Sequence, residues 1–348
     1  MMMKTGTALS AFAASLLLST AASADLSLLT WEGYADDSFV GPFTEATGCE
    51  VSATYVGSGD EFVAKMASAH TTYDLVSPAS DIALRLADLG VVEPVDMSRV
   101  PHAADFAPAF RNPAWLTRDG EVYGVPYTFG IIRVIATPDA AVSADASLEV
   151  FWDPAHKGQV ALWDDIESLY MAARYLGYDD VYNLNEMQLA ATQEALSKVM
   201  PSVRKLWFSA GELDNLIQSG EVKLTNAWET NLINAWNAGT EVVEVIPPQG
   251  RGAWSDAWMI SDGAGDNDCV YQWLDYVSSP KAQALGNAVT GFGYSNPKMV
   301  AELDEQSRTY MQRLGMDNPD ILMAVDWWQP VPKRPAYLQA WNQVKAAN

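Results

Sequence analysis

Apolar and polar residues follow one another along this chain in two rhythms. Short apolar blocks at 26–30, 51–56, 73–76, 131–136, 158–163, 224–228 and 242–246 read as strands. Other segments repeat their apolar residues every three or four positions. Phe39, Val40 and Phe43 predict a helix over 38–47 ended by Gly48, and Phe62, Val63 and Met66 one over 60–69. A third is expected over 82–89, ended by Gly90, and two more over 168–176 and 186–200. Strand and helix in alternation imply an α/β fold with mainly parallel sheets flanked by helices. The alternation starts afresh after Pro126 with no low-complexity tether and no repeat of fixed period, so two lobes joined by more than one strand are expected, with a cleft between them.

Length and charge narrow the partners. The chain has 348 residues, 49% apolar and 19% charged, which supplies more than one buried core. Lys and Arg number 21 against 44 Asp and Glu, a formal net charge of −23. Such a chain lacks the cationic face that a nucleic acid or an anionic membrane surface requires.

The first residues add a compartment. A short basic start with Lys4, an apolar run over 8–18 and the small residues Ala22 and Ala24 around Ser23 read as a signal peptide over 1–24, cleaved after Ala24. The run is shorter than the ~20 residues of a membrane span, and no later stretch stays apolar that long, so no membrane insertion is expected. No cysteine stands beside the cleavage site to carry a lipid.

The sequence carries no recognised catalytic signature. Cys49 and Cys269 could form one disulfide in an oxidising compartment or remain separate buried thiols. His70, His102 and His156 have no metal-ligand spacing. GxSxG, GxxxxGK[ST] and a strand-borne GxGxxG are missing, and the glycine pairs Gly57/Gly59 and Gly291/Gly293 read as tight turns. The neighbouring acids Asp36 and Asp37, or Asp164 and Asp165, could flank a glycosidic bond only if folding set them across from each other. The expectation is a protein that is not an enzyme and needs no cofactor or metal.

Tryptophan changes the picture. Of thirteen tryptophans, several stand beside acids near predicted strand ends: Trp31 with Glu32, Trp163 with Asp164 and Asp165, Trp228 with Glu229, Trp254 near Asp256, and Trp327 and Trp328 after Asp326. Strand carboxyl ends line the ligand crevice of doubly wound sheets. An indole face attracts a cation by roughly 0.5–2 kcal/mol and a carboxylate adds a charge-assisted hydrogen bond, so together they describe a box for an organic ammonium ion. Trp115, Trp152, Trp207, Trp236, Trp273 and Trp341 are assigned to packing instead.

The segments LTWEGY (29–34), YDLVSP (73–78), YGVPY (123–127), KGQV (157–160), WDD (163–165), GEV (220–222), Trp228, WSD (254–256), SPKA (279–282), GFGYSNP (291–297) and WQ (328–329) resemble, in order and spacing, the spermidine/putrescine periplasmic binding proteins of bacterial ABC importers. The likeness spans nearly all of the chain beyond residue 24. It implies a type II two-lobed receptor with lobe one at 25–128 and 257–308, and lobe two at 129–256 with C-terminal helices over 309–348. Both cysteines would then lie in lobe one. It further implies a diamine or triamine held in the cleft, its methylenes between aromatic rings and its ammonium ends on carboxylates. By position, Trp31 and Tyr34 match the aromatic first loop with Glu32 beside them. Trp228 and Trp254 match the two sandwiching indoles, Asp256 an amine-gripping carboxylate, Asp165 a second acid and Gln329 a polar end group. Phe292 replaces a tyrosine. Ala79 and Asp81 stand where the family has serine and an aromatic residue, and Ser168 where it has a glutamate. Asp81 or Glu229 is the expected source of the charge missing there.

The reading that follows is a monomeric periplasmic receptor of an ABC importer. It closes on a small organic cation of the polyamine class and docks on a permease in the inner membrane. Alternatives within the class are a monoamine, a quaternary ammonium compound or an amino-acid-like zwitterion, the last requiring a guanidinium, such as that of Arg133 or Arg251, or helix-terminal amides at the cleft. Ferric ion is not expected, since no tyrosine pair marks the cleft. The rival from another class is an exported hydrolase using two of the same carboxylates.

Overall fold

The computed structural model describes residues 25–347, so the expected signal peptide lies outside the described residues. The chain opens with β1 (Asp25–Thr30), α1 (Asp37–Thr47), β2 (Glu50–Tyr55), α2 (Gly59–Ala69), β3 (Leu75–Val76), α3 (Ala83–Asp88) and β4 (Val92–Glu93). A small hairpin of β5 (Thr117–Arg118) and β6 (Glu121–Val122) leads to β7 (Val125–Ile131). Then come β8 (Arg133–Ala136), β9 (Val160–Trp163), α4 (Glu167–Tyr175), α5 (Glu186–Val199), β10 (Val203–Trp207), α6 (Ala210–Gln218), β11 (Leu224–Ala227), α7 (Glu229–Asn237) and β12 (Val243–Val245). The last part holds β13 (Gly252–Ser261), α8 (Asp268–Ser278), α9 (Pro280–Thr290), β14 (Gly293–Tyr294), α10 (Glu305–Arg313), α11 (Pro319–Met323), β15 (Asp326–Trp327) and α12 (Arg334–Ala346).

Local chemistry sets the helix ends. Asp36 caps α1 by accepting from Ser38 N at 2.9 Å, and Gly48, in the left-handed region, ends it by donating to Thr44 O. Phe39 and Phe43, four apart, form its buried stripe. In α5 the Asn185 and Gln188 side chains satisfy each other's backbone N–H, a capping box.

Beside the β5-β6 pair two large sheets result, in keeping with the expected two-lobed α/β class. One follows the order β14-β7-β13-β3-β1-β2, with β4 and β15 also on β13, and the other β10-β9-β11-β8-β12. Strand direction departs from the mainly parallel expectation. β1, β2 and β3 are parallel, as are β9, β10 and β11, but β13 is antiparallel to β3 and β7, and β8 is antiparallel to β11 and β12. In the first sheet the cause is β13, a ten-residue strand buried along its whole length, which returns late in the chain to the middle of that sheet.

The apolar block at 131–136 is two strands rather than one. β7 ends in the first sheet at Ile131, β8 begins in the second at Arg133, and Ile132 between them donates to Gly252 O at 2.8 Å. The chain returns between β12 and β13, over 246–251. The C-terminal α12 packs on α5, and its Tyr337 hydroxyl donates to Val181 O at 2.9 Å. Cys49 and Cys269 form a disulfide that ties the start of β2 to α8, with Cα atoms 5.9 Å apart.

Candidate functional site

Four strand ends from both sheets converge on one cavity. β1 stops at Thr30 and delivers Trp31, Glu32 and Tyr34 in a turn closed by Tyr34 N donating to Trp31 O at 3.2 Å. Gly33 makes that turn with φ +88°, a conformation an L side chain rarely adopts. β3 leads to Ala79, β9 ends in Trp163, and β11 gives Trp228 as the N-cap of α7.

On β13, Trp254 and Asp256 are two apart and so share one face of the strand. A register shift between Asp256 and Ala257 bends the strand at this point, a device that re-aims side chains. Trp254 pairs with Gly130, and a Cβ there would collide with the indole; the glycine lets the ring lie flat over the neighbouring strand. Phe292 follows the left-handed Gly291 that ends α9.

These residues, together with Trp328 after β15, enclose about 350 Å³ of space between atoms, mouth included. The walls are mostly rings in edge-to-face or stacked contact. Trp163 meets Trp228 edge-on at 5.1 Å and stacks on Trp328 at 6.1 Å, while Trp254 meets Phe292 edge-on at 4.7 Å. Such packing holds the rings in place before any ligand arrives.

Asp256 is the buried carboxylate of this cavity, 3% exposed. Its Oδ2 accepts the Tyr34 hydroxyl at 2.6 Å, and its Oδ1 has no hydrogen-bond partner among the described residues. Burial pushes its carboxyl well above the usual carboxylate range; the Tyr34 hydrogen bond opposes the rise and the nearby Asp81 adds to it. A buried acceptor left without a donor is costly, and a cation placed there would satisfy it. Glu32 sits at the exposed rim, where its Oε2 accepts Ala210 N, in the first turn of α6, at 3.0 Å, a carboxylate at a helix N-terminus.

The structure thus brings Trp31, Glu32, Tyr34, Trp228, Trp254, Asp256 and Phe292 around one cavity. It places the other candidates elsewhere. Asp81 pairs with Arg334 Nη1 at 2.5 Å. Asp165 accepts backbone N–H groups of Gly59 at 3.2 Å and Glu167 at 3.0 Å. Ser168 donates to Trp163 O at 2.9 Å and so steadies an indole of the wall. Glu229 accepts Ile131 N at 2.8 Å and pairs with Arg133 Nε at 3.0 Å, away from the cavity. Gln329 is exposed, its amide donating to Trp327 O. Arg133 and Arg251 both pair with Glu244, and neither lines the cavity.

Trp163, Trp328 and Ala79 also line the cavity, although the resemblance assigns none of them to the ligand by position. The signal for the two indoles was present, since both belong to the acid-adjacent tryptophans. Their adjacent acids are engaged elsewhere: Asp164 holds Trp341 Nε1 and Lys345, and Asp326 holds Arg174. Among the described residues no cluster of His, Cys, Asp and Glu could hold a metal ion, and no helix is long and apolar enough to cross a membrane.

Known proteins resemble the chain in sequence and in fold. The sequence model of the bacterial extracellular solute-binding proteins matches residues 38–312. The spermidine/putrescine-binding periplasmic protein of Escherichia coli (strain K12) is 27% identical over 278 residues, covering 78% of this chain and 77% of that one. The putrescine/agmatine-binding protein of Pseudomonas aeruginosa is 24% identical over 323 residues, covering 84% and 85%. Among solved structures, a putative spermidine/putrescine ABC transporter from Listeria monocytogenes superposes with a TM-score of 0.84 at 20% identity, over 93% of this chain and 99% of that one. The PBP MotA from A. tumefaciens B6 in complex with glucopine gives 0.76 at 20% identity, over 92% and 99%. Together they show the two-lobed fold of type II periplasmic binding proteins, a fold that carries more than one kind of ligand.

Proposed function

The chain belongs to the bacterial extracellular solute-binding protein family, and on that premise we propose that it is the periplasmic receptor of an ABC importer, closing on a small organic cation of the polyamine class, putrescine or spermidine in type. The observation that carries the reading is Asp256 Oδ1, a buried carboxylate oxygen without a partner, at a cavity walled by indoles. The curated relatives named for spermidine, putrescine and agmatine support the same ligand class. A cation there gains the charge-assisted hydrogen bond and the facing rings together. A zwitterion would need a guanidinium or helix-terminal amides for its carboxylate, and the guanidinium groups of Arg133 and Arg251 are engaged with Glu244.

Closure is a population shift. Trp163 and Trp228 come from the second sheet and Trp31, Tyr34, Trp254 and Asp256 from the first, so a ligand meets all of them only when the lobes are shut. Contacts between the two sides already hold this form: Glu32 on Ala210 N, Trp163 Nε1 donating to Gly57 O at 3.0 Å, and Thr230 Oγ1 donating to Thr290 O at 2.8 Å. In this reading the lobes divide where the chain changes sheet, at Ile132 and over 246–251, rather than after 128 and 256, because β7 and β13 both belong to the first sheet, and the hinge lies at those two crossings. The closed form is what a permease in the inner membrane would receive, and binding is stoichiometric and reversible, without turnover.

A thermal-shift screen against putrescine, cadaverine, spermidine, choline, glycine betaine and amino acids, followed by calorimetry, tests the proposal. A ligand that binds only the folded state raises the melting point by mass action. Stabilisation by amines is the expected result. Silence from every amine with a shift from an amino acid would overturn the ligand class.

A further inference from the structure

Beside the cavity lies a second group of acids that a ligand does not need to satisfy, because the protein supplies its own cation. Asp81 sits two residues after Ala79, whose backbone bridges to Asp256, so it is close to the ligand carboxylate. The Tyr170 hydroxyl reaches Asp81 at 3.5 Å, and the Tyr170 ring meets the cavity indole Trp328 at 5.9 Å. Into this position α12 inserts Arg334, 2% exposed. Its Nη1 donates to Asp81 at 2.5 Å and its Nε to Asp60 at 2.9 Å. Burial opposes that charge, yet Asp81, Tyr170, Asp60 and Asp165 hold it above even the usual arginine range. Asp165 in turn is satisfied by the backbone N–H groups of Gly59 and Glu167.

Resting on the reading of the cavity as an amine site, we propose that Arg334 is a specificity-determining residue that limits the ligand to one buried cationic head. Its guanidinium takes the acids a second ammonium would require, and Asp256 is the buried carboxylate that lines the cavity. A diamine is then gripped at one end, with its other end directed to the rim. There Glu32 is exposed, and a screened surface pair adds little.

n-Butylamine and putrescine share a four-carbon chain and differ in one ammonium, so calorimetric titration with both reads the inference directly. In the unmodified protein their affinities should differ by less than tenfold. In Arg334→Ala, with Asp81 and Asp60 released, putrescine should bind tenfold or more tighter than n-butylamine, while Arg334→Lys should keep the unmodified ratio. A tenfold preference for putrescine in the unmodified protein, or a folded Arg334→Ala with an unchanged ratio, would overturn the inference and leave the amine-receptor reading standing. A protein that binds no amine overturns both. Should Arg334→Ala fail to fold, the ratio in the unmodified protein decides.

Discussion

The Tyr34 phenol donates a 2.6 Å hydrogen bond to Oδ2 of Asp256, a residue 222 positions away, and the other carboxylate oxygen keeps no partner. Tyr34 thereby fixes the orientation of the carboxylate while leaving half of its accepting capacity unused. A site prepared in this way spends little ordering entropy when the ligand arrives.

Binding of a cation should release a proton. Burial holds the Asp256 carboxyl well above its ordinary range in the empty closed form, and an ammonium beside it lowers that pKa. Affinity should therefore rise with pH until Asp256 is ionised without ligand. Calorimetry in buffers of different ionisation enthalpy should reveal the proton, and Asp256→Asn should abolish it. The same substitution should cost about 2 kcal/mol or more of binding, because a desolvated ammonium would lose its counter-charge. An unchanged affinity in a folded variant would remove Asp256 from the site.

The disulfide should matter to stability and not to binding. It joins Cys49 and Cys269 across 220 residues of sequence, with both ends packed on the first sheet's side of the molecule, so it leaves the two chain crossings free. Replacing both cysteines by alanine should cost about 2–5 kcal/mol of unfolding free energy. Melting curves measure the loss, and ligand affinity should stay within twofold. A large loss of affinity would place the crosslink in the closure mechanism.

Asp165 should make stability fall as pH rises. Burial, with Asp60 and Asp81 adding and Arg334 and the Glu167 N–H opposing, pushes its carboxyl from 3.8 up to about 7. The folded protein therefore holds a proton that the unfolded chain gives up near pH 4. That contribution is complete below the unfolded value and is lost as pH climbs through about 7. Denaturant titrations from pH 4 to 8 should show wild-type stability declining relative to Asp165→Asn. Parallel curves would mean that Asp165 titrates normally in the folded state.

The sequence by itself determined the class of fold and much of the cavity wall. Apolar blocks and three-to-four spacing located β1, β2, α1, α2, α5 and β9 within a residue or two, because these elements bury continuous or one-sided apolar surface that shows in the pattern. Of the tryptophans beside acids, Trp31, Trp163, Trp228, Trp254 and Trp328 gather at one cavity, while Trp327 does not line it. Only the tertiary structure decided what the acids do. Asp81, Asp165 and Glu229 look the same in sequence as Asp256, yet Arg334, backbone N–H groups and Arg133 engage the first three, none of which lines the cavity, while the fourth lines it with an open oxygen. The strand break at Ile132 and the antiparallel course of β13 were equally hidden. A run of apolar residues records that a segment is buried but not which sheet buries it, and a carboxylate's role depends on partners brought from hundreds of residues away.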